Sequence, residues 1–521
     1  MNRTRLFRPA CTSLCVASVA AMIAACGGSG SSEDTSAIPL TVPKAVCGSD
    51  DKPESGLQGQ VPAAVRAAGF KGYNCNLTLI GQSRNEGASW QHAYFKDRAG
   101  PSCFYYDTSS STANRTNRGV VAIYATDSAN PKATAFLSTT AMIDPWESLK
   151  VNDRRQLLGA VNALNGNGGP EIDLYDLSGD CRTPQLLTTS AVNTGIDGGL
   201  TTAVRGHEGD FAPDGLTYYG SNLGAGYVYA IDITSTVRPK MIAQWQNPYV
   251  NRLHGQSLSE DGNRMYLTSA GVGAVDPTRP PPPATYPNNG LIIVDTSEVQ
   301  ARKPNAVIRE VGHVFWDDAR TAQHTIPVKI KGKPYVIFAD EGGGGANNAA
   351  GWQAACDAGL PSWPMARIID IGDETKPVVI SKLALEIHDP KNCANVIPDL
   401  TGLSGFTYGA HYCSVDNKQE ATTLACGYFE SGIRVFDIRN PLRPKEIAYY
   451  NPPAVTTPSP GSQNNRTAAN GRPDHCSAQL RLDAAAKTLS TTCQDNGFLS
   501  LKFRDGVWPF PESTTPPGQQ N

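Results

Sequence analysis

The sequence predicts an all-β chain folded as a seven-bladed β-propeller of four-stranded antiparallel blades, closed by an N-terminal strand. Three observations carry this expectation. The composition is poor in charge, at 18%, and rich in turn formers, with 50 Gly and 38 Pro in 521 residues, which suits short strands joined by many turns. An apolar strand ending in Asp, then a turn and Pro, recurs along the chain. The last copy lacks its final strand, and a matching apolar segment stands ahead of the first. Collagen, coiled coil and a highly charged disordered chain are excluded by the same composition.

In chain order, Arg3, Arg5 and Arg8 precede an apolar stretch of small residues from Ala10 to Ala25, too short to span a membrane and typical of an export signal. Its end, Ile23-Ala24-Ala25-Cys26-Gly27, resembles the lipobox of bacterial lipoproteins. The resemblance implies a signal peptide over 1–25 and acylation of Cys26, giving anchorage in the membrane of a bacterial cell envelope; the alternative is a plain secretory peptide. Gly27 after the cysteine is similar to lipoproteins sorted to the outer membrane. A Gly/Ser-rich tether is expected over 26–45 and a lead-in segment over 46–73, with the propeller over 74–511 and a frayed tail over 512–521. Removing 1–25 takes three arginines and no acid, moving the net charge from −3 to −6, so nucleic acid is not an expected partner.

The repeat appears as Val120–Tyr124 with Pro131, Ile172–Asp176 with Pro184, Val228–Asp232 with Pro239, Leu291–Asp295 with Pro304, Ile368–Asp370 with Pro377 and Ile433–Asp437 with Pro444. Phe498–Lys502 is a degenerate seventh copy. The prolines lie 53 to 73 residues apart, room for four strands and their loops. Gly290-Leu291-Ile292-Ile293-Val294-Asp295 and Gly432-Ile433-Arg434-Val435-Phe436-Asp437 resemble the LVIVD repeat of bacterial β-propellers, over roughly Asn74 to Phe503. Tyr124 and Lys502 depart from it where Asp is usual. The resemblance implies the fold and says little about chemistry. Pairing Leu77–Ile80 with Phe498–Phe503 would close the ring without an open sheet edge.

With the innermost strand of each blade descending from the top face, four long insertions fall on that face: 271–289, 342–364, 385–409 and 451–473. Insertions gathered on one face of a repeat protein suit binding of a protein, glycan or small molecule. Six of the eight histidines also stand at or near the start of an innermost strand: His92, His207, His254, His324, His411 and His475, with Trp146-Glu147 at the equivalent place in the second blade. Asp107, Asp340-Glu341, Glu430 and Asp495 begin neighbouring loops, so these carboxylates and Glu147 could stand behind the imidazoles. That pattern suits a transition metal, copper or zinc, or else an anionic ligand, at the mouth of the axial channel, with His254, His324, His411 and His475 foremost as metal ligands. Against it, Gly206-His207 is also similar to the structural histidine of WD-repeat propellers.

Ten cysteines remain after the signal and Cys26, an even number that reads as disulfides in an exported protein. Cys413 with Cys426 and Cys476 with Cys493 lie on neighbouring strands of one blade. Cys356 and Cys393 both lie in top-face insertions, where a bridge between them would pin the loops over the site. Cys103 with Cys181 and Cys47 with Cys75 follow by elimination. No nucleophile elbow, zinc-protease, phosphate-loop or dinucleotide motif is present. The two functions that fit are a lipid-anchored binding or scaffold module, and a metal-dependent enzyme, either a copper-type oxidoreductase or a metal-assisted hydrolase.

Overall fold

The recurrent apolar run is buried on both sides because it forms the third strand of a blade packed between two others. Leu291, Ile292, Ile293 and Val294 are all fully buried, yet Ile292 and Val294 join the core towards the third blade while Leu291 and Ile293 join the core towards the fifth. The two-residue period of a strand divides the run between the two interfaces. The computed structural model describes residues 40–511 except 99, 109–115, 163–170, 192–205, 272–287, 345–347, 401–402, 404–405 and 456–470. No described helix is long and apolar enough to cross a membrane.

Seven antiparallel sheets follow one another, spanning 92–137, 150–191, 209–246, 253–316, 319–383, 413–451 and, for the seventh, 481–503. The seventh blade is completed by Leu77–Ser83, paired with Gly497–Phe503 from Leu77 opposite Phe503 to Ser83 opposite Phe498. This is the predicted closure. One strand was not anticipated: Tyr73–Cys75 adds a fifth, outer strand to the sixth blade.

The Asp of the repeat has a structural reason. Asp176, Asp232, Asp295, Asp370 and Asp437 each accept the backbone N–H two residues ahead at 2.8–3.0 Å, which folds the chain over towards the outermost strand. The fourth strand, outermost in every blade but the sixth, carries a register shift against its neighbour in all seven blades. Such bulges twist an exposed edge away from pairing with another chain.

Two expectations are corrected. The tether was expected to run to residue 45, but Val42 is buried in the core between the fifth and sixth blades and its N–H bonds to Ala384 O at 2.8 Å. Apolar Val42 and the buried Glu446, which accepts the Ala45 N–H, draw this stretch onto the blades. Disulfides join Cys47–Cys75, Cys103–Cys181, Cys413–Cys426 and Cys476–Cys493. The expected Cys356–Cys393 bridge is not formed, and both are free thiols. The two thiols are neighbours, and burial together with Cys393 pushes the Cys356 thiol up to about 12; Cys356 Sγ also faces Pro390 O at 4.0 Å and Cys393 Sγ lies 3.7 Å from Ser362 Oγ. The insertion at 342–364 folds into a helix, Ala349–Asp357. Most of the 271–289 and 451–473 insertions, Cys26 and the signal lie outside the described residues.

Candidate metal centre on the propeller axis

The chain enters the axis at the top of each innermost strand, so residues there face one another across the ring. His207 stands two residues before the strand Gly209–Phe211, His254 is the second residue of Leu253–Leu258, and His411 stands two before Cys413–Val415. Glu147 precedes Lys150–Asn152, and its N–H bonds to His207 O at 3.2 Å. Glu341 arrives differently. The second strand of the fifth blade, Lys333–Gly343, is eleven residues long and carries Glu341 past the end of its pairing with the third strand, while still paired with the innermost strand.

These five side chains converge. His207 Nε2 lies 3.1 Å from His254 Nε2 and 3.2 Å from Glu147 Oε2. His254 Nε2 lies 3.5 Å from Glu147 Oε2 and 3.6 Å from Glu341 Oε2. His411 Nε2 lies 3.3 Å from Glu147 Oε1 and 3.8 Å from Glu341 Oε1. Two ligand atoms on a tetrahedral ion with bonds of 2.0–2.1 Å sit about 3.3 Å apart; Glu147, His207 and His254, whose ligand atoms all lie within 4.8 Å of one another, come nearest to that spacing, with His411 and Glu341 beside them. The His411 Nδ1–H is donated to Ser477 O at 2.9 Å, which orients the ring so that Nε2 faces the Glu147 carboxylate. Buried His411 Nε2 and Glu147 Oε2 have no hydrogen-bond partner.

A further carboxylate lies one layer down. Glu208 is fully buried, 3.8 Å from His254 Nδ1, 3.4 Å from His324 Nδ1 and 3.8 Å from Lys150 Nζ. Gly255 makes room for it, since a Cβ there would come within 2.0 Å of Glu208 Oε2. Once an ion displaced the proton from His254, Glu147, Glu208 and Glu341 against Lys150 would leave two negative charges, matching one divalent cation. Burial opposes a charge on His254, yet Glu147, Glu208 and Glu341 hold its imidazole up at about 10. Burial likewise opposes charge on Glu147, but the surrounding histidines hold it well below the usual carboxylate range. Above the cluster, Trp90 lies 5.5 Å from the His411 ring and 5.8 Å from Trp146, which in turn is 6.0 Å from His207. His207 keeps 20% of its side chain exposed.

No protein-family model matches the chain, and no curated protein matches it in sequence. Solved structures do. Kuenenia stuttgartiensis hydrazine synthase is similar over 83% of this chain and 99% of its own, at 12% identity and a TM-score of 0.50. A Lactobacillus plantarum protein is similar over 78% and 93%, at 12% identity and a TM-score of 0.49. The likeness is one of fold. The site must therefore be read from its own residues.

Not every expected residue reaches the centre. Glu147 and Glu341 stand among the imidazoles rather than behind them. Asp340 points the other way, as the strand period requires, and binds Arg367 Nε at 2.9 Å, Asn289 Nδ2 at 2.8 Å and Trp316 Nε1 at 3.2 Å inside the blade. His92 stacks on Phe104 at 5.1 Å and meets Gln479 O at 3.2 Å, and burial pushes its imidazole down to about 3. His475 lies six residues before its strand, Arg481–Asp483, and packs 5.0 Å from the Phe429 ring. His324 is the sixth residue of Ala319–Ile330 and so sits in the lower layer with Glu208. Glu430 is held through its N–H to Thr407 O, and Asp495 through its N–H to the Asp474 carboxylate. Glu208, absent from the expectations, had one sequence signal: it directly follows Gly206-His207.

Proposed function

We propose that this chain is an exported, lipid-anchored β-propeller of the LVIVD type that holds a divalent transition metal on its axis and binds its partner through the top face. His207, His254 and His411 would supply three imidazole nitrogens, and Glu147 and Glu341 two carboxylates. The observation that carries this reading is that the ligand atoms of Glu147, His207 and His254 all lie within 4.8 Å of one another, with His411 Nε2 facing Glu147 Oε1 at 3.3 Å. Buried carboxylate and imidazole groups gathered in this way are stabilised by a cation between them. A nitrogen and oxygen donor set without sulfur suits zinc, copper(II) or iron(II) rather than copper(I). Glu208 beneath His254 would orient that imidazole. The lipid anchor rests on Ile23 to Gly27, and the outer membrane on Gly27.

A metalloenzyme is the second reading, favoured by the partial exposure of His207, which leaves one side of the cluster reachable. A bound ion would supply Lewis-acid chemistry to a hydrolase or electron transfer to an oxidoreductase. Elemental analysis of the full chain after loading with zinc or copper tests the common element. Near one equivalent is expected, lost in His207→Ala plus His411→Ala. Less than about a tenth of an equivalent in the parent protein would overturn the metal site. Incorporation of labelled fatty acid, abolished by Cys26→Ser, tests the anchor.

A further inference from the structure

Below the cluster the innermost strands enclose an axial cavity of about 410 Å³. Its wall is more basic than the chain as a whole. Lys150, Arg154, Lys418 and Arg481 line it against Asp153 and Asp210, although the whole chain is net negative. Lys150 Nζ stands between Glu208 and the Tyr412 ring, 5.8 Å from the ring centroid. Lys418 comes from the turn after Cys413–Val415, and no carboxylate among the described residues lies within ion-pair distance of it. Burial and the Lys150 charge push its ammonium down, and burial pushes the neighbouring Asp210 carboxyl up.

Gln91 supplies an independent observation. It lines the same cavity, is 1% exposed, and both atoms of its side-chain amide lack a hydrogen-bond partner. An unpaired buried amide is destabilising, and a polar occupant of the cavity would offset that cost. Two ammonium groups and an unpaired amide N–H are together the donor set of an oxyanion site.

We infer that the axial cavity binds a small oxyanion, a carboxylate or a phosphate, held by Lys150 and Lys418 and reached from the face opposite the aromatic cap. The binding does not require the metal; only its location directly beneath His324 and Glu208 ties it to the metal reading, as the place where a small anionic substrate or effector of that centre would rest. No covalent step is implied.

Calorimetric titration of the full chain, treated with a chelator, tests this with malonate and inorganic phosphate as probes. One equivalent of malonate, of phosphate or of both should bind, with the preferred probe distinguishing the two sources. Affinity should fall roughly tenfold or more in Lys418→Met, fall with added salt, and stay unchanged in Lys303→Met, an exposed lysine away from the cavity. Circular dichroism checks that Lys418→Met is folded, and the salt dependence of the parent protein decides the matter if it is not. No binding of either probe up to ~10 mM, or binding indifferent to salt and to Lys418→Met, would overturn the inference. Binding seen only with metal present would place the anion on the ion and overturn it too. Failure of metal loading with intact anion binding would instead overturn the proposed function and leave this inference standing.

Discussion

At the scale of single residues, the axial cluster depends on space as much as on charge. Gly255 leaves the volume that Glu208 occupies, and a methyl group there would also come within 2.4 Å of Gln323 O. Gly255→Ala should therefore displace Glu208 from His254 and weaken metal binding about 10–100-fold, the range for supporting carboxylates, as read by competition with a chelator. His388 shows the opposite electrostatic regime. Its Nδ1 accepts the Leu385 N–H at 2.8 Å, its Nε2 faces Tyr408 O at 3.1 Å, and burial, with Arg434 nearby, pushes the imidazole down to about 3. The unfolded chain takes up this proton near pH 6.5 and the folded chain does not. The contribution to stability is thus complete above about pH 6.5 and declines by about 1.4 kcal/mol per unit as pH falls towards 3. His388→Gln should be less stable at neutral pH but lose stability less steeply over that window, in urea midpoints measured from pH 7 to 4.

At the scale of elements, the LVIVD-like run and its Asp serve folding. The apolar residues feed two cores, and the Asp turns the chain into the outer strand. Asp232→Ala removes the 2.8 Å bond to the Thr234 N–H and should cost about 1 kcal/mol, with no effect on metal content. Loss of metal in that variant would show that the turns of the third blade are coupled to the axis. The cysteines could be ordered by the same strand map. Cys413 and Cys426 are directly opposed in register, so the repeat alone brings them together. Cys356 and Cys393 both lie in insertions whose path depends on packing; that packing brings the two thiols together as free neighbours without a bond between them.

At the scale of the whole molecule, closure joins the two ends of the chain in one sheet. Leu77 is fully buried at the seam between the sixth and seventh blades. Leu77→Ala should cost about 2–5 kcal/mol, visible as a lower denaturation midpoint of the full chain. A surface position would cost far less, and a negligible effect would mean that the ring is held elsewhere. The lead-in segment adds a second clasp. Glu54 reaches the buried Arg434 of the sixth blade, which also binds Glu446 at 3.0 Å, and Tyr73–Cys75 covers the outer edge of that blade.

The sequence by itself determined the all-β class, the number of blades, the strand that closes the ring and the placing of histidines near the axis. Those follow from period, spacing and turn chemistry, which are local. Only the tertiary structure decided which of these side chains meet. Asp340 and Glu341 are neighbours in sequence, but strand alternation sends one into the blade to Arg367 and the other to the axis. His254 and His411 meet Glu147 because three innermost strands begin at matching heights, while His324 and His475 begin too deep or too early in theirs. A shift of one residue along a strand moves a side chain by about 3.3 Å, roughly the separation between ligand atoms at one ion, and that height is set by packing across the ring.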